Sequence, residues 1–197
     1  MIQIINTGVA NIRSLQAAFD RLNQPWNLTE DADQIRTASH VVLPGVGAFS
    51  AAAAALDQLQ LRESIIDRIC ADQPLLCICL GMQLLCRSSE EAPDSTGLGI
   101  LPFEIKRFTG NVKVPQLGWN EVRPISRGPF ETGEAYFANS FRLIDRPGGW
   151  GYAETDYGGP FVSSVWRGRL LACQFHPELS SAWGQQLLSN WLEGNSC

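Results

Sequence analysis

The sequence predicts an α/β fold: a mostly parallel central sheet flanked by helices, with an added antiparallel β portion in the C-terminal half. Two observations carry this. Up to about residue 90, short apolar runs alternate with amphipathic helical stretches, the pattern of parallel strands whose crossovers cover both faces of a sheet. Beyond Glu90, glycine and proline become frequent and short β-like runs follow one another closely, as in antiparallel structure. At 197 residues, 45% hydrophobic and 18% charged, the chain is long enough for one well-buried core. One domain over 1–197 is expected.

The elements follow in order. Residues 2–6 form an apolar run that predicts a buried first strand. Residues 10–22 predict an amphipathic helix with Ile12, Leu15, Ala18, Phe19 and Leu22 facing inward. Residues 26–29 suit a second strand and 40–43 a third, stopped by Pro44-Gly45-Val46-Gly47. Residues 48–70 predict helix in two pieces broken near Gln60, and the alanine run at its start permits close packing. Pro74 then opens the run Leu75-Leu76-Cys77-Ile78-Cys79, a fully buried strand. From Leu80 the pattern turns helical, with Leu80, Leu84 and Leu85 at helical spacing. In the second half, β-like runs cover 104–108, 136–138, 162–166 and 170–175. Residues 181–192 carry Trp183, Leu187, Leu188 and Trp191 at helical spacing and predict a closing helix.

Composition narrows the function classes. A net charge of −5 and a pI near 5.0 leave no electrostatic footprint for nucleic acid or an anionic membrane. The N-terminus lacks the basic region and cleavage site of a signal peptide. No apolar run approaches the roughly 20 residues of a membrane span, so a cytoplasmic chain is expected. Six cysteines are an even count, which invites disulfides, but the chain is neither small nor loop-rich and reduced thiols are expected. The spacing of Cys77, Cys79 and Cys86 is not that of a zinc site, and only His40 and His176 could add imidazole, so no metal is expected.

Two stretches carry chemistry. Cys79 falls where a strand gives way to a helix, the geometry of the nucleophile elbow, which holds a reactive side chain up out of its sheet. A thiol there faces the positive end of a helix dipole, which favours the thiolate. The alternative is that Cys77, Cys79 and Cys86 are small hydrophobes of a strand and helix. Near the other end, Pro177 disfavours helix at His176, so that residue should be extended, with Glu178 projecting to the same side two residues on. Imidazole beside carboxylate is the base-and-orienter pair that a cysteine nucleophile needs. Taken alone, His176-Pro177-Glu178 also fits a loop histidine with a surface glutamate.

Together, Cys79-Leu80-Gly81-Met82-Gln83 and His176-Pro177-Glu178 resemble the triad-type, class I glutamine amidotransferases in order and separation. Further motifs narrow the resemblance. They are Asn6-Thr7-Gly8-Val9-Ala10-Asn11-Ile12-Arg13-Ser14, Leu43-Pro44-Gly45-Val46-Gly47-Ala48-Phe49, Ser88-Ser89-Glu90-Glu91, Gly97-Leu98-Gly99 and Gly118-Trp119-Asn120. These are similar to the glutaminase subunits of imidazole glycerol phosphate synthases, enzymes of histidine biosynthesis. The resemblance implies the class I amidotransferase fold and hydrolysis of glutamine to glutamate and ammonia, with no cofactor. It implies Cys79 as nucleophile, His176 as base and Glu178 as orienter. The oxyanion would be held by the N–H of Leu80 and by the Gly45-Val46-Gly47 segment. Gln83 and the Ser140 segment would line the glutamine pocket. The implied partner is a TIM-barrel cyclase subunit that takes the ammonia, and Asn11 and Trp119 are candidate contacts to it; the lesser alternative for Trp119 is plain core.

Four departures from the pattern stand in the sequence. Cys77 stands where the elbow usually has glycine, and Asn139-Ser140-Phe141 where the family shows a His-Ser-Tyr type. Gln116-Leu117 replaces a His-Met-like pair, and Leu179 replaces a lysine thought to face the partner. None touches the triad. Two rivals remain at this stage: a glutaminase serving a different synthase, and a catalytically silent regulatory relative.

Overall fold

The computed structural model describes residues 1–8 and 11–194. The chain runs from β1 (Ile2–Ile5) through α1 (Ile12–Arg21) to β2 (Trp26–Thr29), then through α2 (Ala32–Thr37) to β3 (His40–Gly45). Two helices, α3 (Phe49–Gln58) and α4 (Arg62–Cys70), lead to β4 (Leu75–Cys79), which passes directly into the short α5 (Leu80–Leu84). The second half is β-rich: β5 (Cys86–Ser89), β6 (Leu101–Arg107), β7 (Gln116–Pro124), β8 (Gly133–Asn139) and β9 (Phe141–Arg142). β10 (Gly151–Asp156), β11 (Pro160–Arg167) and β12 (Leu170–Cys173) follow, then a 3₁₀ turn over Pro177–Leu179 and the closing α6 (Ser181–Leu192). The start of the first predicted helix at Ala10, the Val9-Ala10 pair of the first motif and Cys197 lie outside the described residues.

Among the described residues, nine strands form one sheet in the order β2-β1-β3-β4-β12-β11-β10-β7-β8. The pairs among β2, β1, β3, β4 and β12 are parallel. From β12 outward through β11, β10, β7 and β8 every pair is antiparallel. The antiparallel half therefore continues the parallel sheet, and β12 is the seam between them. A small second sheet joins β5, β6 and β9.

Alternation along the strands divides the core into two apolar layers. Val41, Leu43, Leu75 and Cys77 meet Ile35, Phe49, Ala52, Leu56 and Ile65 from α2, α3 and α4. Ile2, Ile4, Val42, Leu76 and Ile78 meet Leu15, Ala18 and Phe19 of α1 and Leu187, Leu188 and Trp191 of α6. Each fully buried Leu or Ile side chain contributes about 1.5–3 kcal/mol.

The predicted break near Gln60 is there, and its cause is local. Gln60 has φ +54°, and the N–H groups of Leu61 and Gln60 donate back to Leu56 O and Asp57 O, which is a Schellman closure. The same closure ends α1 at Asn23 and α4 at Asp72, both with positive φ. It turns the chain sharply enough that each helix is followed within a few residues by its next element. Arg68 reinforces the α4 end. Fully buried, it donates to the carbonyls of Pro74, Ile35 and Ser39; burial and the nearby Arg169 lower its pKa to about 10. No helix among the described residues is long and apolar enough to cross a membrane.

Candidate active site

β3, β4 and β12 end side by side, with Gly45 opposite Cys79 and Cys173 opposite Ile78. The carboxyl ends of neighbouring parallel strands are where open α/β sheets bind ligands. Cys79 closes β4 with φ +54° and ψ −107°, a conformation that strains a residue bearing a Cβ by about 1–3 kcal/mol. Packing behind the turn holds it there. A Cβ on Gly81 would lie 2.1 Å from the Leu43 carbonyl oxygen, and one on Gly45 would lie 2.9 Å from Leu80 Cβ. Both glycines are needed for β3 to touch the start of α5.

α5 is only five residues long. What faces Cys79 is therefore a single turn of free N–H groups rather than the summed dipole of a long helix. Cys77 fits the elbow as a small buried side chain within β4. Burial pushes the thiols of Cys77, Cys86 and Cys173 up, that of Cys86 to about 12, so these three stay protonated.

Beyond β12 the chain stays extended to His176 (φ −102°, ψ 94°). Its N–H donates to Tyr136 O at 2.9 Å. Ser180 Oγ donates to the His176 carbonyl at 2.6 Å and accepts the Tyr136 N–H at 3.0 Å. Glu178 belongs to the 3₁₀ turn, so the turn, and not the extended alternation expected from the sequence, brings it to the imidazole. Glu178 Oε1 lies 2.8 Å from His176 Nδ1, and both side chains are buried. Burial opposes charge on the ring, but Cys79 and Glu178 favour it more strongly, and His176 is pushed up to about 10. These two groups favour the charged ring, the partner a thiolate requires.

A cavity of about 220 Å³ opens over these groups, smaller than the ~300–1,000 Å³ of drug-sized sites. Among its lining residues are Cys79, His176, Leu80, Val46, Gly47, Gln83 and Ser140, all expected from the sequence. Gly45 and Glu178 sit behind this lining, the first under Leu80 and the second against His176. Asn11 is exposed at the start of α1, a helix that packs on the Pro177–Leu179 turn. Trp119 is not core: it is 51% exposed, its ring edge-on to Tyr136 at 6.3 Å.

Three residues of the site were not singled out from the sequence. Glu91 lines the cavity while its Oε2 accepts the Phe49 N–H at 2.9 Å. Its signal was the Ser88-Ser89-Glu90-Glu91 motif, to which no role attached. Ser180 locks the backbone of His176, and nothing in the local pattern marks it. Gln174 donates to Cys79 Sγ at 3.6 Å and accepts from Gln83 Nε2 at 2.9 Å. It stands two residues before His176 in an extended run, and that alternation is the signal that could have found it.

Known proteins resemble this chain along its whole length. Residues 3–194 match the family model for glutamine amidotransferase class-I. The chain is 42% identical over 197 residues to the imidazole glycerol phosphate synthase subunit HisH of Moorella thermoacetica, covering 98% of this chain and 94% of that protein. It is 40% identical to the HisH subunit of Oceanobacillus iheyensis, covering 98% of each. Among solved structures, a glutamine amidotransferase superposes with a TM-score of 0.78 at 17% identity, over 98% of this chain and 97% of that one. PurLQS from Thermotoga maritima superposes with a TM-score of 0.72 at 15% identity, over 98% and 97%. These two show the fold alone. By family model and by sequence identity, the chain belongs to the class-I glutamine amidotransferases, in the HisH family.

Proposed function

We propose that the chain is the glutaminase subunit of an imidazole glycerol phosphate synthase, a single glutamine amidotransferase domain over 1–197 acting in the cytoplasm. The observation that carries this is Cys79, held at positive φ on its elbow, with the Glu178-paired imidazole of His176 on the same cavity. Glutamine would lie with its side-chain amide at Cys79. Glu91 offers a carboxylate to the α-ammonium, and Gln83 and Ser140 line the pocket around the rest.

The Cys79 thiolate attacks the carboxamide carbon, and the carbonyl oxygen becomes an oxyanion. The Leu80 N–H and an N–H of the Val46-Gly47 peptide stabilise it, each such donor being worth about 10²–10³-fold in rate. Collapse of the tetrahedral adduct breaks the C–N bond, and His176 gives its proton to the departing nitrogen, releasing ammonia. A water then loses a proton to His176 and attacks the γ-glutamyl thioester; collapse of that adduct breaks the C–S bond, releasing glutamate and restoring the thiolate–imidazolium pair. Glu178 holds the ring throughout.

The ammonia passes to a TIM-barrel cyclase subunit, which forms imidazole glycerol phosphate and AICAR. The docking face we assign is the rim around the cavity, where Leu117 (60% exposed), Trp119 and Leu179 present apolar side chains to solvent. Tryptophan is among the residues that dominate binding energy at protein interfaces, and the two leucines extend the apolar surface around it. The test is glutamate release by the chain with and without that cyclase, together with labelling by a glutamine analogue bearing an electrophile. Label on Cys79 alone is the expected result. Label elsewhere, or none, overturns the assignment of the nucleophile.

A further inference from the structure

We propose that Gln174 is a positioning residue of this site, a single buried amide that holds the Cys79 sulfur with its N–H and fixes Gln83 with its carbonyl. The inference rests on Cys79 acting as the nucleophile. Gln174 is almost wholly buried, and its backbone is pinned by its own N–H to Ser163 O at 2.9 Å. In the extended segment after β12, Gln174 and His176 project to the same side, and both reach Cys79.

The direction of the hydrogen bonds is set by a group that cannot donate. The Phe141 carbonyl lies 3.3 Å from the Gln83 amide nitrogen. With the amide turned over, two acceptors would face each other there, so the nitrogen must occupy that position. Its second hydrogen goes to Gln174 Oε1 at 2.9 Å. That leaves Gln174 Nε2 toward the sulfur, 3.6 Å away. Phe141, Gln83, Gln174 and Cys79 thus form one chain of fixed polarity, ending in a donor at the nucleophile.

Two consequences follow. A hydrogen bond donated to sulfur favours the thiolate over the thiol. Gln83, with both amide hydrogens engaged, turns its Oε1 into the cavity as an acceptor, so the pocket presents that wall to a hydrogen-bond donor on the substrate. The ionisable groups around Cys79 are His176 and Glu178 on one side, Glu91 across the cavity, and the buried thiols of Cys77 on the same strand and Cys173 on the flanking β12. Gln174 adds no charge to this set; it directs a dipole.

The experiment compares the wild-type chain with Gln174→Met, which keeps the side-chain shape without donor or acceptor, and Gln174→Glu, which keeps an acceptor for Gln83. Iodoacetamide alkylation of Cys79 is followed against pH by mass spectrometry, and kcat and KM for glutamine are measured on the full chain. Loss of a hydrogen bond to a charged sulfur should raise the alkylation midpoint by about one pH unit and lower kcat roughly tenfold or more. Gln174→Met should also raise KM several-fold, whereas Gln174→Glu should raise the midpoint with a smaller change in KM. A merely structural residue would lower the melting temperature and move neither quantity. A wild-type midpoint and KM in folded Gln174→Met overturn the proposal. Should neither variant fold, the side-chain amide resonance of Gln174 in ¹⁵N-labelled wild-type protein decides: it should move with the Cys79 midpoint, and a resonance indifferent to it overturns the proposal. Failure of wild-type Cys79 to react, together with no hydrolysis of glutamine, would instead remove the nucleophile itself.

Discussion

Cys79 and Cys77 lie two residues apart on the same strand, yet only Cys79 faces the His176 ring and a cavity. Cys79→Ser should therefore lower glutamate release by at least ~10³-fold, because nucleophile and base act as a unit. Cys77→Ala should keep most activity and lose about 1 kcal/mol of stability for a small buried side chain. Coupled glutamate assays and urea titrations check both. His176 gives a second prediction at this scale. Its pKa is raised from 6.5 to about 10 in the folded chain, so the folded state holds a proton that the unfolded state releases between those values. The resulting stabilisation is full below about pH 6.5 and is lost as pH rises toward about 10. Urea titrations of wild type and His176→Gln should show the wild-type advantage shrinking across that window, and an advantage that grows with pH contradicts the charged ring. These residues were legible because each carries a local signal: a strand-to-helix switch at Cys79, a proline after His176, a carboxylate two residues on. Ser180 and Gln174 were not, since their partners are Tyr136, more than forty residues distant, and Cys79, on another strand.

The elbow joining β4 to α5 stores strain at one peptide, and its energetics can be read by substitution at Cys79. In most contexts alanine is more stable than glycine by roughly 0.5–1 kcal/mol, because glycine loses more freedom on folding. At φ +54° and ψ −107° that order should reverse, since glycine enters this region without a Cβ clash. Cys79→Gly is expected to exceed Cys79→Ala by about 1 kcal/mol or more in urea titrations, both being inactive. The usual order would mean that the elbow is relaxed. The strain also explains why the sequence located this element so well: an unbroken apolar run ending at a Cys-x-Gly-Met-Gln motif has few other ways to fold. β2 and α6 match their predicted spans, and the break near Gln60 falls where a left-handed residue closes α3. Other elements lack such signals. α2 is six residues long with one buried side chain, Ile35, too short for a helical period to show. β7 and β10 were not predicted; β7 carries Gly118 and ends at Pro124, and much of it faces solvent, so its pattern resembles loop. β7 pairs with its chain neighbour β8, β10 with its chain neighbour β11, and the two with each other, this last pairing joining segments far apart in sequence.

At the scale of the whole molecule, the seam at β12 decides what the protein can do. The parallel half supplies the elbow and the glycine turn after β3. The antiparallel half supplies the wall of the pocket through Asn139, Ser140 and Phe141, and carries Leu117 and Trp119 out beside it. Leu117 and Trp119 share one face of β7, while Tyr136, under the Trp119 ring, holds the backbone of His176. The proposed docking face and His176 thus rest on the same pair of strands. Exposed apolar side chains are tolerated on a free chain at little cost in stability, so Trp119→Ala should change the urea midpoint by no more than about 0.5 kcal/mol. At an interface the same truncation removes a large aromatic anchor, and it should weaken association with the cyclase by about 2 kcal/mol, roughly thirtyfold in Kd. Leu179, exposed beside them, makes this rim apolar rather than ionic. Association should therefore weaken only slightly between low salt and about 0.5 M, whereas an ion-pair interface loses much of its steering over that range. Titration calorimetry of the chain with the proposed cyclase partner, at two salt concentrations and with Trp119→Ala alongside, measures both. Unchanged affinity in Trp119→Ala would move the docking face off β7, and a steep salt dependence would place charges, not Leu117, Trp119 and Leu179, at its centre.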